Sequence, residues 1–273
     1  MKFPDRAEAA FNVFNAETVL GVVAGVEEAG GGCFLQTSAA TVRFYSAGVL
    51  GGMVRALVPE GLRGRVKLHL DHCGDVGMIR DCLEAGWDSV MMDASGLPLE
   101  ENIRETRAVV ELAARYGALV EGEIGVVGGE EDDGFAVYGD EAVMPRVAEV
   151  LRFMDESGAA MVAVGVGTRH GHYGDRPCEL RHDLLEAVHA GRPSVPLVLH
   201  GGTGIAEADV ARAVRRGGVR KVNISTRLKD GWLAAQRAQL ASSHPYRVTA
   251  GLDGSVREVR EAVLPVLRLL EGL

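Results

Sequence analysis

Short apolar runs alternate with longer segments whose apolar positions recur every three to four residues, and the alternation persists through most of the chain. Runs of the first kind occupy Ala10–Phe14, Cys33–Gln36, Val66–Asp71, Ser89–Asp93, Leu119–Glu123, Met161–Val164, Leu197–His200 and Lys221–Ile224, and they read as strands. Between them the helical period predicts helices over Glu17–Glu28, Val42–Leu57, Val76–Ala85, Leu99–Tyr116, Pro145–Glu156, Leu180–Ala190, Ala206–Arg216 and Arg227–Leu240. Strand–helix alternation implies parallel strands joined by right-handed crossovers. Eight such units predict an α/β fold closed into a (β/α)8 TIM barrel rather than an open sheet. A further helix near residues 255–270 follows the eighth unit.

The 273 residues suit one barrel domain spanning 1–273, since a barrel needs about 250. With 47% hydrophobic and 25% charged residues, the chain has a globular composition rather than a disordered one. Its net charge of −9 excludes a nucleic-acid or anionic-membrane surface, both of which need a basic patch. An anionic small substrate must therefore be held by local devices. The opening "MKFPDRAEAAFNVF" lacks a signal pattern and no apolar run reaches about 18 residues, so a soluble cytoplasmic protein is expected. Cys33, Cys73, Cys82 and Cys178 form no CxxC pair, which predicts reduced thiols; Cys73, next to His72, reads as packing before it reads as a ligand.

The polar residues raise the first chemical question. In "VKLHLDHCGD" a buried strand runs into Asp71 and His72, groups that are costly to desolvate unless paired or metal-bound. A local answer, His69 bonding Asp71 inside the core, is available. Yet strand four ends at Asp93, strand five carries Glu121 and Glu123, the segment after strand six holds His170, and strand seven ends at His200. All fall at carboxyl ends, the face on which barrel enzymes keep their chemistry. One such histidine is unremarkable; three on separate staves, with carboxylates between, point to a divalent metal, zinc first. His172, two residues after His170 on a Gly-flanked loop, reads as lying outside the ligand set.

"HGGTG" after strand seven and "NISTR" after strand eight occupy the two loops where barrels bind phosphate. Gly201, Gly202 and Gly204 allow close backbone approach, and Thr203, Ser225 and Thr226 bring hydroxyls. Ser225 and Thr226 could equally cap the following helix. The Gly- and acid-rich stretch Gly128–Val143 reads as an insertion, either a lid or a solvated surface loop.

The ordered motifs "AFNVFNAET", "HLDHCGD", "SVMMDAS", "VEGEIGVVGGEEDD", "GVGTRHGHY", "VLHGGTG" and "KVNISTRLK" resemble those of the class II, metal-dependent ketose-bisphosphate aldolases, the fructose- and tagatose-bisphosphate type. The resemblance covers residues 10 to 240. It implies that His72, His170 and His200 are zinc ligands, although another divalent ion would also serve, and that Asp71 exchanges a proton with the C4 hydroxyl. It implies that Glu131 takes a proton from the dihydroxyacetone phosphate carbon, and that Asp93 and Glu123 mark a second metal position. Gly171, Gly201, Thr203, Asn223, Ser225 and Thr226 line up with the triose-phosphate and monovalent-cation pocket. Asn12 and Ser38 match further substrate contacts. A phosphorylated sugar as substrate and a homodimer or homotetramer are implied too.

Breaking a carbon–carbon bond beside a ketone needs an electron sink, either a lysine iminium or a metal-stabilised enediolate. Of the four lysines, Lys67 and Lys221 begin strands at the far end of the barrel, Lys229 lies on a helix and Lys2 is terminal, so the metal is the expected sink. Departures from the family pattern concern the second phosphate. Gly174 stands where a lysine is usual, and the tail offers only Arg257 and Arg260. Two other readings remain at this point: a metal-dependent barrel hydrolase, and a barrel that binds phosphosugars without catalysis. The first would favour an His-x-His pair on strand one, where this chain has "FNVFN".

Overall fold

A computed structural model of the chain describes residues 6–129, 143–174 and 178–273. Eight parallel strands close into a barrel: β1 (Glu8–Asn12), β2 (Cys33–Ser38), β3 (Val66–Asp71), β4 (Ser89–Met92), β5 (Leu119–Ile124), β6 (Met161–Val164), β7 (Leu197–Leu199) and β8 (Val219–Ile224). Sequence neighbours are barrel neighbours throughout, and β1 closes on β8 through Glu8 beside Lys221 and Ala10 beside Asn223. The strands are short and buried on both sides, so they read as continuous apolar runs rather than alternating ones.

The crossover helices are α1 (Ala16–Ala29), α2 (Ala39–Tyr45), α3 (Ala47–Leu57), α4 (Val76–Glu84), α5 (Leu99–Ala114), α6 (Val147–Ser157), α7 (His182–Gly191), α8 (Glu207–Arg216) and α9 (Thr226–Ala241), with α10 (Val248–Glu271) after them. Asn15 and Thr18 close α1 with a reciprocal capping box, and Asp75 caps α4 through Gly77 and Met78 N–H. The core lies between the barrel and this ring, where Val19, Val22 and Val26 of α1 and Val259, Val263 and Leu267 of α10 are all buried. Gly21 and Gly25 make that packing possible, since a Cβ at either would lie 2.5–2.6 Å from Val263 or Val259.

Three expectations need correction. The segment Val42–Leu57 is two helices, because Ser46 adopts φ 75° and breaks the helix there. The last helix begins at Val248, one and a half to two turns before residue 255, and continues through Pro265. The first strand is Glu8–Asn12, not Ala10–Phe14. Within the Gly128–Val143 stretch, residues 130–142 lie outside the described residues. Its two ends are placed: Gly128–Gly129 pairs in parallel with Arg169–His170, and Val143 exchanges two hydrogen bonds with Val126, at 2.8 and 3.0 Å.

Candidate active site

The three histidines meet over the carboxyl end of the barrel. Their ring centroids are 4.9 Å (His72–His170), 4.6 Å (His72–His200) and 6.0 Å (His170–His200) apart, and one nitrogen of each lies within 4.8 Å of the others. His72 reaches this position from a left-handed backbone, φ 42°, an uncommon conformation for a residue with a side chain. Its Nε2 lies 2.8 Å from His200 Nδ1, and its Nδ1 lies 2.8 Å from Asp93 Oδ2. His200 Nε2 lies 2.7 Å from Glu121 Oε1. Glu123 Oε2 stands 3.8 Å from His72 Nδ1 and 3.6 Å from His200 Nδ1.

Local backbone chemistry explains why His170 is there. Gly129 (φ 98°) and Gly201 (φ 65°) pack their bare Cα atoms against the Arg169–His170 backbone; a Cβ at Gly129 would lie 2.3 Å from His170 O, and one at Gly201 would lie 2.3 Å from Arg169 O. Tyr173 ties the same segment to the next loop, its hydroxyl accepting from Arg169 N at 3.2 Å and donating to Gly201 O at 3.0 Å.

The electrostatics suit metal ligation. Burial pulls His170 well below the ordinary histidine range, and the neighbouring charges of His72 and His200 act the same way. Burial lowers His200 as well, against the opposing pull of Glu121. Neutral imidazoles are the ligating form. Burial pushes Asp93 and Glu121 up, but the His72 and Ser95 hydrogen bonds of Asp93 and the Lys221 charge beside Glu121 outweigh it, holding both carboxyls below their usual range. Outer ring nitrogens held by carboxylates are the ordinary surroundings of metal-bound histidine. His72, His170 and His200 therefore form a donor set that fits a divalent ion, and His72, Asp93 and Glu123 form an overlapping second one.

Beside the histidines, Asp71 is cradled by three neighbouring staves. Asn12 and Gln36 donate to its Oδ2 at 2.8 and 3.0 Å, and Asn223 donates to Oδ1 at 3.3 Å. Burial raises the Asp71 carboxyl, but the charges of His72, Lys221, His200 and His69 dominate and keep it ionised, below the usual range. A cavity of about 230 Å³ opens in front of it. Asn12, Ser38, Asp71, His72 and His170 line one part, while Gly171, Gly201, Gly202, Thr203, Asn223, Ser225 and Thr226 line the rest. Thr203 Oγ1 and Asn223 Oδ1 are buried with no partner among the described residues. Ser225 sits at the start of α9 but makes no side-chain cap, so the capping alternative for its hydroxyl is not realised. Gly202 N–H is already spent on Asn223 O at 2.9 Å, and its role is to let the two loops touch.

The structure brings together the histidines, Asp71, Asp93 and Glu123 with the cavity-lining candidates Asn12, Ser38, Gly171, Gly201, Gly202, Thr203, Asn223, Ser225 and Thr226, while Glu131 lies outside the described residues. His172 is exposed, 3.4 Å from Asp230, and apart from the ligand cluster. His69 does not bond Asp71; its Nδ1 lies 2.8 Å from Ser89 Oγ. Cys73 points away as a packed thiol, pushed up to about 11 by burial. Lys229 is on a helix as expected, but the far-end placement of Lys221 is overturned. Lys229 lines the cavity one turn into α9, and Lys221, third in β8, is wholly buried with Nζ 2.9 Å from Glu121 Oε2. Lys67 does stay at the far end, paired with Glu8 at 2.7 Å. Arg260 pairs with Glu28 and Glu261, and neither it nor Arg257 lines the cavity. Gln36 was legible only as a polar residue inside an apolar strand, and Glu121 only as one of the carboxylates at the strand ends; their partners need the barrel's inward face to interpret.

Fold and site together define a (β/α)8 barrel with a polar cavity and a candidate metal centre at the carboxyl ends of its strands. The family model of class II fructose-bisphosphate aldolase matches residues 4–271. A fructose-bisphosphate aldolase of Streptococcus pyogenes serotype M6 is 35% identical over 270 residues, covering 97% of this chain and 89% of its own. A sulfofructosephosphate aldolase of Alkalicoccus urumqiensis is 31% identical over 260 residues, covering 93% and 88%. The crystal structure of the YdjI aldolase from Escherichia coli K12 superposes with a TM-score of 0.82 at 28% identity, covering 97% and 91%. The chain belongs to the class II fructose-bisphosphate aldolase family, whose members are carbon–carbon lyases.

Proposed function

We propose that this protein is a zinc-dependent aldolase that reversibly cleaves a phosphorylated ketose to dihydroxyacetone phosphate and an aldehyde. The observation that carries the reading is the convergence of His72, His170 and His200 beside a buried, ionised Asp71. A divalent cation held there supplies the Lewis acid that takes up negative charge on the ketose carbonyl side. Asp71, fixed by Asn12, Gln36 and Asn223, accepts the C4 hydroxyl proton as the C3–C4 bond breaks and the aldehyde forms. The electron pair stays with the donor half, whose carbon is then protonated, the role the family resemblance gives Glu131. Thr203 Oγ1 and the uncapped start of α9 favour the donor phosphate at the β7 and β8 loops, while Asn223 Oδ1, which can only accept, suits a substrate hydroxyl or a cation. Lys229 is the lysine among the described cavity-lining residues, and a positive charge there suits an anionic group of the substrate. The relatives' names carry such a group, a second phosphate in one and a sulfo group in the other. Fructose or tagatose 1,6-bisphosphate is the leading substrate.

A homodimer or homotetramer, which the family resemblance implies, is the assembly we favour. No helix among the described residues is long and apolar enough to cross a membrane, and a cytoplasmic site of action is the reading we favour. The deciding assay offers a panel of ketose phosphates to the zinc-loaded protein and measures dihydroxyacetone phosphate release, with and without prior chelation. Release that depends on metal is expected. Release that survives complete metal removal, or hydrolysis products in place of two carbonyl fragments, overturns the reading.

A further inference from the structure

Beyond its charge, which helps hold Asp71 and Glu121 ionised, Lys221 has no role in the reaction as proposed, yet it occupies the middle of the barrel. Its side chain and that of Glu121 are both wholly buried, with Nζ donating to Glu121 Oε2 at 2.9 Å. The other carboxylate oxygen, Oε1, lies 2.7 Å from His200 Nε2. A continuous contact thus runs from β8, across β5, to the residue that follows β7. Replacing a buried ion pair by apolar side chains of similar volume is often neutral or stabilising, so stability alone gives the barrel no reason to keep this one.

The directions of the bonds supply a reason. An ammonium can only donate, and a carboxylate oxygen facing it can only accept. The hydrogen in the 2.7 Å contact therefore belongs to His200 Nε2, which leaves the lone pair on Nδ1. Nδ1 is the atom that meets His72 Nε2 at 2.8 Å and faces Glu123 at 3.6 Å. His69 steadies the carboxylate from another side: its Nδ1 is tied to Ser89, and its Nε2 comes within 3.4 Å of Glu121 Oε2. Without the ammonium, nothing on the β8 side would keep the Glu121 plane aligned with the His200 ring.

We propose that Lys221 is a positioning residue for the metal centre, acting through Glu121 to present His200 Nδ1 to the ion. This rests on the metal reading of the site. The test measures Zn2+ affinity by chelator competition and the visible absorption of the Co2+-loaded protein, in wild type, Lys221→Met, Lys221→Gln, Glu121→Gln and the Lys221→Met/Glu121→Gln double variant. Lys221→Met is expected to weaken Zn2+ binding by about 10–100-fold and to alter the Co2+ spectrum, the usual scale for losing an outer partner of a metal ligand. Lys221→Gln, which keeps a donor, should recover part of that loss. Glu121→Gln alone leaves the Lys221 ammonium buried without its counter-charge, whereas the double variant leaves no buried charge unpaired, so adding Lys221→Met to Glu121→Gln should cost less than twofold. Folded Lys221 variants with wild-type affinity and spectrum, or losses that simply multiply in the double variant, overturn the positioning role. A wild-type chain that binds neither metal overturns the metal reading and the inference with it, so the two failures are told apart.

Discussion

Asp71 shows how one carboxylate can be buried, ionised and still reactive. Three amides from β1, β2 and β8 satisfy its oxygens, so its charge survives a site that would otherwise force protonation. Asp71→Asn keeps the shape but cannot accept a proton, and the amide would face other amide donors. We expect kcat to fall by about 10²–10⁴ with zinc stoichiometry unchanged, checked by steady-state assay and metal analysis of the same sample. Zinc lost along with activity would mean that Asp71 holds the metal site together instead. His69 makes a second, separable prediction. Burial drives its imidazole down to about 3, so the folded state takes up this proton far less readily than the unfolded chain, whose histidine titrates near 6.5. Stability from neutral His69 is complete above about pH 6.5 and is lost as pH falls from there toward 3, with a slope of about 1.4 kcal/mol per pH unit for the one proton. Denaturant titrations of the metal-free protein at pH 7, 6 and 5 should show the decline, and His69→Gln should reduce its slope by about that one-proton amount, leaving the share of the buried His170 and His200.

At the scale of elements, Ser46 is the point where chain pattern and backbone disagree. It ends α2 and begins α3 at φ 75° and ψ 153°, a region kept almost wholly for glycine, while its hydroxyl caps Val49 N only at 3.5 Å. Ser46→Gly should therefore raise the unfolding free energy by about 1 kcal/mol, since a Ser-to-Gly change at a cap costs only a few tenths. A shift of the denaturant midpoint to lower concentration would show that the cap outweighs the strain. The apolar periodicity runs through Ser46 with no Gly or Pro at the break itself, since Gly48, Gly51 and Gly52 lie inside α3, which is why Val42–Leu57 read as one helix. The eight strands, in contrast, were legible because each is buried on both sides and bounded by polar residues. Lys221 misled for a related reason: a lysine at the start of an apolar run looks like a boundary, and only the partner on β5 explains a charge inside the barrel.

For the whole molecule, the histidines and Asp71 could be read from the chain because every barrel strand delivers its last residues to one face. Gln36, Tyr173 and the cavity position of Lys229 could not, since their value lies in what they touch across the barrel or between loops. A metal bound by residues after β3, β6 and β7 also bridges distant parts of the chain, which are not preassembled when it is unfolded. Zinc at a hundred times its dissociation constant should therefore stabilise the fold by about 2.7 kcal/mol, visible as a concentration-dependent rise in Tm that a chelator reverses. A Tm indifferent to zinc would place the ion elsewhere.

The acidic stretch of residues 130–142 leaves from Gly129, seated on the His170 backbone, and rejoins at Val143, bonded both ways to Val126. Its ends are thereby moored independently of whatever lies between them. Such a stem fixes where the segment enters and leaves beside the histidines, so changes of length or composition that spare Glu131 are tolerated at these anchors, in natural divergence or at a protein engineer's hand.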